Sequence, residues 1–349
     1  MRKLLILLAF FAAVSCQFKT ADDPVNTAER IPADQISIGG VLAELLQDSS
    51  VTEAKTSHQS VGYSKEIGWL SEQLVQLKSE RKTLDKNPEF SEAWEMLNEE
   101  ILHHFEGLSP ADLNDWMNLN DSLLKYTEEV RFADALERIV YNPIGRKQLQ
   151  EDQIKSVFYT RLYDRIYFNL YGSSSLQYEH TTGGVVRLVQ DTNYPFDGVV
   201  TLKVELQDTR YLDFYFRIPE WADRASVTCK GVKYTVNPGQ FTEIAKKWKN
   251  GEEVEIILGM RPTALEREEA DPALALTYGS LFLSYPRPES TPLIFEGGDA
   301  IQHLNFVSPP GKMPTFTFSG IQDTTLVLQP YFAEEADSLE RTAWIRKRN

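Results

Sequence analysis

The sequence predicts an α+β multidomain protein in which a small α-helical N-terminal domain is followed by an antiparallel β-sandwich. Its 349 residues suffice for about two domains. Apolar residues recur with a helical period in the first part of the chain and alternate with polar residues in the second part. The formal net charge of -15 would repel phosphate backbones, so nucleic acid is not an expected partner.

The N-terminus carries the pattern of an export signal. Arg2 and Lys3 precede an apolar run of 11 residues, Leu4 to Val14, which is shorter than the about 20 residues that a spanning helix needs. Small residues then lead into Cys16, and this arrangement resembles the lipobox of bacterial lipoproteins. The resemblance implies an exported bacterial lipoprotein whose lipid at Cys16 anchors it to the cell envelope, on the periplasmic or the cell-surface face. The alternative is an ordinary cleaved signal with an incidental cysteine.

Composition and periodicity divide the chain into five parts. The predicted parts are a lipoprotein signal peptide (1–15), a flexible tether (16–35), a helical domain (36–160), a β-sandwich (161–262) and a C-terminal β-rich part (263–349). The C-terminal part either completes the sandwich or forms a second, smaller one.

Helical spacing is clearest between residues 64 and 159. Four apolar residues at three- and four-residue steps predict one buried face: Ile67, Leu70, Leu74 and Leu77. Ser91 is the predicted N-cap of the next helix, and Ser109-Pro110 starts another. Two further helices are predicted, one ending at Asn142-Pro143 and one spanning 150–159.

Strict alternation predicts strands with one buried side. It is clearest in three runs: Val200–Leu206, Leu212–Ile218 and Val254–Leu258. Turn residues such as Asp197-Gly198 and Asn250-Gly251 separate the runs, as in a β-sandwich. Five further strands are predicted in the C-terminal part: Ala273–Leu276, Leu281–Tyr285, Thr315–Phe318, Thr324–Leu328 and Thr342–Arg346.

Six collinear stretches carry a family resemblance: Arg131–Asn142, Asp164–Gly172, Asp191–Gly198, Phe216–Ala222, Lys247–Glu255 and Ala275–Leu281. Together they resemble the glycoside hydrolases typified by bacterial β-L-arabinofuranosidases. The first stretch is similar to the last part of that family's (α/α)6 barrel and the others to its β-sandwich. Twelve helices of about 11 residues would not fit between residues 64 and 160. The resemblance therefore implies that the helical domain is a remnant of the barrel.

The resemblance also implies where catalytic residues should lie. The family holds a zinc ion with a glutamate and three cysteines, one of which is the nucleophile. Its Glu-Thr-Cys motif falls here on Ser109, Pro110 and Ala111, and no cysteine lies between residues 142 and 164. A thiolate nucleophile and a zinc site both need donors that these residues lack. No catalytic residue, metal or cofactor is therefore predicted.

Other acidic residues could form a replacement site. Glu99 and His103 share a helical face, but a carboxylate-bridged metal site needs a second such helix, which the sequence lacks. Glu128-Glu129 and a charged loop containing Glu266, Glu268 and Glu269 could supply a carboxylate pair for glycosidic cleavage. All of these are interpreted as solvated surface.

Three aromatic residues are candidates for sugar contacts: Tyr211, Tyr215 and Trp221. The sequence favours a lipid-anchored, non-catalytic, glycosidase-like protein with an accessory or glycan-binding role in carbohydrate utilisation, whose partners are the membrane and a polysaccharide or oligosaccharide. One alternative is an active glycoside hydrolase, arabinofuranosidase-like, that uses a carboxylate pair. A second is a structural envelope lipoprotein with an envelope protein as partner.

Overall fold

The computed structural model describes residues 28–47, 62–142, 149–267, 272–287, 293–309, 311–321, 324–333 and 341–348. The predicted signal peptide and Cys16 lie outside these residues. None of the helices in the described part is long and apolar enough to cross a membrane.

The described N-terminal part contains six α-helices: α1 (Gly40–Gln47), α2 (Ser64–Glu80), α3 (Pro88–His103), α4 (Pro110–Thr127), α5 (Val130–Tyr141) and α6 (Glu151–Phe158). The buried face predicted for α2 is confirmed at all four positions. The same periodicity places Trp116 and Leu123 of α4 in the core, which the helices share with the sandwich.

Two helix starts illustrate how local capping sets the boundaries. Helix α3 begins at Pro88 rather than after Ser91, because the Asn87 side chain accepts a backbone N–H of the first turn at 3.3 Å. Proline suits the first helical position, since its missing N–H would have no partner there. Helix α4 begins as predicted, with the Ser109 hydroxyl accepting from the Asp112 N–H at 3.1 Å.

Twelve strands form the sandwich: β1 (Glu29–Arg30), β2 (Ile36–Ile38), β3 (Tyr159–Leu162), β4 (Arg165–Phe168), β5 (Ser174–Glu179), β6 (Val185–Thr192), β7 (Val199–Leu206), β8 (Arg210–Ile218), β9 (Ser226–Cys229), β10 (Val232–Tyr234), β11 (Gln240–Trp248) and β12 (Glu252–Ile257). The first sheet has the order β1-β3-β4-β8-β11, and the second has the order β10-β9-β12-β7-β6-β5-β2. Both sheets contribute side chains to one core, including Phe168, Leu188, Leu202, Phe214 and Val254.

The sandwich is not purely antiparallel. Strand β4 pairs in parallel with β8, with Tyr167 opposite Tyr215. A parallel pair needs a long connection. Here the chain passes through β5, β6 and β7 of the second sheet before it returns to the first.

The predicted tether ends earlier than residue 35. Ala28 and Ile31 are buried, β1 pairs with β3, and β2 pairs with β5. Two short strands can join a sheet without a strong sequence signal, because their backbone groups find partners on existing edges.

The C-terminal part forms a unit of its own. Its strands are β13 (Pro262–Arg267), β14 (Ala273–Tyr278), β15 (Leu281–Pro286), β16 (Ile294–Phe295), β17 (Leu304–Phe306), β18 (Phe316–Ile321), β19 (Thr324–Pro330), β20 (Arg341–Thr342) and β21 (Trp344–Lys347). The order β14-β21-β16-β18-β19-β15 is closed by pairing of β14 with β15, which makes a six-stranded barrel. The barrel has a separate core that includes Leu274, Leu283, Phe316, Phe318, Leu328 and Ile345.

The barrel is fastened to the helices by a few specific contacts. The Phe105 ring stacks on Phe282 with centroids 4.1 Å apart, and the buried Glu106 carboxylate accepts from the Ala343 N–H at 2.6 Å. Asn142 donates to the Ser280 carbonyl at 2.9 Å and accepts from the Phe282 N–H at 2.8 Å. The end of α5 thus anchors the β14–β15 hairpin.

A buried ionic network joins α5 to the first sheet. The fully buried guanidinium of Arg217, on β8, donates to the Asp134 carboxylate at 2.5 Å and to both oxygens of Glu137. Glu137 also accepts from the Tyr194 hydroxyl at 2.6 Å and from the Trp221 indole N–H at 3.2 Å. The helical layer is therefore held on the sandwich by charge-assisted hydrogen bonds rather than by apolar packing alone.

Replacing Arg217 should test this role. In R217M two carboxyl groups lose their buried cation, so we expect the free energy of unfolding to fall by about 3–5 kcal/mol in urea titration. The matched control is R187M, because Arg187 pairs with Glu205 at a half-exposed position on β6 and should cost less than about 1 kcal/mol. Equal losses in the two variants would contradict the role of the network.

Candidate functional site

A cleft of about 1240 Å³ lies where the helices meet the outer face of the first sheet. Helices α3 and α5 and the short turn before α5 form one wall, and strands β4, β8 and β11 form the floor. Alternate residues of these strands point outward, and the docked helices cover only part of this face. The uncovered part is the floor of the cleft.

Aromatic rings dominate the floor. Tyr167 and Tyr215 stack with centroids 4.6 Å apart and an interplanar angle of 20°, and Phe241 meets Tyr167 edge-on at 5.5 Å. Trp94 of α3 contributes a fourth ring from the opposite wall. Tyr167 and Trp94 are only 2% and 3% exposed, so Tyr215 and Phe241, which are partly exposed, are the two rings whose faces a sugar ring could contact.

The lining is strongly acidic. Seven carboxyl side chains line the cleft, against two guanidinium groups: Glu95, Glu99, Glu128, Glu129, Asp134, Glu220 and Glu243, against Arg131 and Arg138. Glu128 has a left-handed backbone (φ 60°), which is uncommon for a residue with a side chain. This conformation ends α4 and turns the chain into the cleft wall.

The Arg131 charge is already balanced. Its guanidinium pairs with Glu95 and with Glu129, each at 2.9 Å, and lies over the Trp94 ring at 5.3 Å from its centroid. Arg131 therefore shapes the wall without offering a free positive charge.

Burial and neighbouring carboxylates shift the pKa values of side chains on the floor of the cleft. Burial, and then the Glu128 carboxylate, raises the pKa of Tyr167. Burial, and then Glu243, raises the pKa of Tyr215. Both hydroxyls therefore stay protonated at neutral pH, with Glu128 and Glu243 as their respective hydrogen-bond partners. The pKa of Asp213, beside Tyr215 on β8, is also raised by burial and by Glu243, against the opposing effect of Arg165 at 3.5 Å.

The three aromatic candidates have different surroundings. Tyr215 lies in the cleft as described. Tyr211 is 56% exposed at the start of β8 and does not line the cleft. Trp221 is half-buried and its indole N–H is used by Glu137 in the network with Arg217.

The acidic candidates are also separated. Glu128 and Glu129 line the cleft, as does Glu99. His103 is not on a solvated face, because it is buried and meets the Trp344 ring edge-on at 6.0 Å. Glu266 pairs with Lys347 at 2.5 Å on the barrel surface, and residues 268 and 269 lie outside the described part.

The positions of the implied zinc motif do not fit a zinc ion. The Ser109 hydroxyl is engaged with Asp112, from whose N–H it accepts and to whose carboxylate it donates at 2.6 Å. Pro110 and Ala111 have no donor atoms in their side chains. Cys229 is buried in β9, with the Lys246 amine at 3.4 Å. Among the described residues, no group of three or more His, Cys, Asp or Glu side chains could hold a metal ion.

Several cleft residues were not singled out from the sequence: Trp94, Arg131, Tyr167, Phe241 and Glu243. Outward alternation on β4 and β11 was an available signal for the last three. Which outward residues become neighbours depends on the strand register and on the docking of α5, and neither can be derived from alternation.

The family comparison covers the centre of the chain. The family model described as the β-L-arabinofuranosidase GH127 middle domain matches residues 165–260. The middle of the chain is GH127-like. No curated protein matches the chain. The matched segment includes Arg217, the tyrosine floor and most of the sandwich.

Solved structures extend this likeness to most of the fold. A glycoside hydrolase superposes with a TM-score of 0.56 at 18% identity, covering 69% of this chain and 52% of the other. A GH127 β-L-arabinofuranosidase from Geobacillus stearothermophilus T6 superposes with a TM-score of 0.53 at 20% identity, covering 67% of this chain and 49% of the other. A GH127 β-arabinofuranosidase superposes with a TM-score of 0.56 at 19% identity, covering 69% of this chain and 49% of the other. The GH127-like chain thus spans about half the length of the structures it matches.

The raised pKa of Asp213 gives a pH prediction. A carboxyl group whose pKa is higher in the folded state binds its proton more tightly there, so its contribution to stability falls as pH rises above 3.8 through the folded pKa. The amide of D213N cannot ionise, so this decrease in stability with rising pH should be absent from the variant. We therefore expect D213N to melt at a higher temperature than the parent at pH 7.

Melting temperatures across a pH series check this expectation. D208N is the control, because Asp208 is three-quarters exposed just before the same strand. A D213N curve that parallels the parent curve at every pH would show that Asp213 carries no such cost.

Proposed function

We propose that the chain is a lipid-anchored, non-catalytic glycan-binding protein whose cleft between the helices and the first sheet takes an oligosaccharide. The observation that carries the proposal is the partly exposed Tyr215 ring on the floor of that cleft, which stacks on the buried Tyr167. The similar solved structures are named as glycoside hydrolases, which supports a glycan as the class of ligand.

The absence of catalysis is supported by the side chains that are present where the family's zinc ligands and nucleophile should lie. This chain has two cysteines in all, Cys16 and Cys229, and the three positions that correspond to the family's Glu-Thr-Cys motif begin a helix. Carbohydrate binding needs only an aromatic platform and hydrogen-bonding groups, which the cleft retains.

A second candidate is hydrolysis by a carboxylate pair. It is favoured by Glu128 and Glu243, which lie beside the Tyr167 and Tyr215 hydroxyls respectively. Release of aryl leaving groups from aryl glycosides, lost in E128Q or E243Q, would support this candidate over the non-catalytic one. A structural envelope role is supported if no glycan binds and an envelope protein is recovered with the chain.

Replacing Tyr215 by alanine should weaken the binding of a glycan to the cleft. We expect Y215A to lower the affinity for a glycan of the panel by about tenfold, because the partly exposed ring of Tyr215 is removed. The measurement is calorimetric titration of the mature protein with arabinan, xylan and glucan oligosaccharides.

The matched control is Y211A, which removes an exposed tyrosine from the same strand but outside the cleft. Y211A should bind like the parent, and both variants should retain the parent's circular dichroism. Equal loss in the two variants, or none in Y215A, argues against the cleft as the binding site.

The lipid anchor is tested separately. When the full sequence is expressed in a bacterial host, we expect the parent to sediment with membranes and to partition into detergent, whereas C16S should do neither, since it lacks the thiol that accepts the lipid. C229S keeps Cys16 and should remain in the membrane fraction. Membrane association that persists in C16S would refute lipidation at this residue.

A further inference from the structure

We propose that hydrogen peroxide oxidises Cys229 so that a covalent sulfur–nitrogen bond forms between Cys229 and Lys246, and that this modification joins the two sheets of the sandwich. Cys229 lies on β9 of the second sheet, and Lys246 lies on β11 of the first. Neither residue lines the cleft, so the inference does not depend on glycan binding.

The Lys246 amine is held against the thiol by three contacts. Its Nζ atom donates a hydrogen bond to the Cys229 Sγ atom at 3.4 Å and lies 2.6 Å from the Glu252 carboxylate. The same nitrogen lies over the Trp248 ring, 4.2 Å from the ring centroid. Groups that are held in contact before they react avoid much of the entropic cost of meeting. The two atoms that would bond are therefore already placed for the reaction.

The charges around the pair favour the first chemical step. Burial lowers the pKa of Lys246, but its hydrogen bonds to Glu252 and Cys229 outweigh burial, so the pKa is raised overall. The amine is therefore an ammonium group at neutral pH. A positive charge beside a thiol favours the thiolate, which is the form that attacks peroxide.

The reaction has two steps. The Cys229 thiolate attacks one oxygen of hydrogen peroxide, the O–O bond breaks, hydroxide leaves and a sulfenic acid forms; the sulfur loses the two electrons that the peroxide gains. Lys246 then gives one proton to Glu252, and the electron pair of the free amine attacks the sulfur. The S–O bond breaks, and its oxygen leaves as water with a second proton from the amine. The proton on Glu252 neutralises the hydroxide, so one peroxide yields one S–N bond and two water molecules.

Glu252 is suited to accept the proton. Its Oε2 atom is buried, and the Lys246 amine is its one close polar neighbour in the described part of the chain. Its Oε1 atom pairs with Lys230 at 2.5 Å. After Lys246 has lost its charge, Lys230 still pairs with the carboxylate. The new bond therefore leaves no buried carboxylate without a cation, which would be costly.

Few competing reactions are open to the oxidised sulfur. Cys229 is 2% exposed, which admits a molecule as small as hydrogen peroxide more readily than a bulky thiol such as glutathione. Cys16 is the only other cysteine in the sequence and is the proposed site of the lipid. A sulfenic acid condenses with a thiol or with a nitrogen. Lys246 supplies the nitrogen here.

The test is oxidation of the full chain followed by peptide mass spectrometry. The protein is treated with hydrogen peroxide, its free thiols are alkylated, and it is digested. We expect a linked pair of peptides that contain Cys229 and Lys246, lighter than their summed masses by about 2 Da because two hydrogens are lost, and separated again by dithiothreitol. The oxidised protein should melt about 5 °C above the untreated protein, because the bond links residues 17 positions apart on different sheets.

Two variants of neighbouring lysines localise the reaction. K246R keeps the positive charge but supplies a guanidinium group that does not lose its proton. It should form a sulfenic acid at Cys229, which dimedone traps, without the linked pair or the rise in melting temperature. K247M is the matched control, because Lys247 is the next residue of β11 and is exposed. It should form the linked pair as the parent does.

Three results would overturn the proposal. The first is a parent protein in which Cys229 stays reduced or gains only oxygen atoms. The second is a linked pair that forms equally in K246R, or that contains Lys230 in place of Lys246. The third is formation of the pair at the same rate in protein unfolded by urea, since the folded geometry would then have no role.

Discussion

The buried guanidinium of Arg217 is the constraint on which the arrangement of this molecule depends. A charge inside a protein is tolerated only when it is paired and hydrogen-bonded. Here Asp134 and Glu137 supply the pairing from α5, and Tyr194 and Trp221 complete the hydrogen bonds of Glu137. This geometry fixes the helix over one end of the first sheet. The cleft is the part of that sheet which the fixed helix cannot reach.

The sequence was most informative where the signal was local or lay within a motif. The buried stripe of α2 and the cap at Ser109 follow from spacing and side-chain chemistry, and the structure has both. The two stretches that carried much of the family resemblance contain Asp134 and Glu137 in one case, and Arg217 and Trp221 in the other. Their common role is the junction between helices and sandwich. The resemblance therefore predicted the fold through residues that build it, not through residues that would perform chemistry.

Non-local features could not be derived from the same patterns. Barrel closure depends on β14 meeting β15 in three dimensions, and alternation within each strand is the same in a barrel as in a sandwich. Tyr211 and Tyr215 lie on the same face of β8, yet only Tyr215 lies under the wall formed by α5. The predicted start of α3 was wrong for a local reason. Asn87 and Ser91 are both good N-cap residues, and the proline after Asn87 favours the earlier start because proline suits the first helical position.

The acidic lining gives the cleft a cost that a ligand can offset. Carboxylates crowded near one another disfavour the compact state, and the pKa of Asp213 is raised first by burial and then by the neighbouring Glu243. A cation that binds the folded chain but not the unfolded chain stabilises the fold through mass action. The arginines in the lining limit the repulsion only partly, since Arg131 neutralises one wall and leaves the floor acidic.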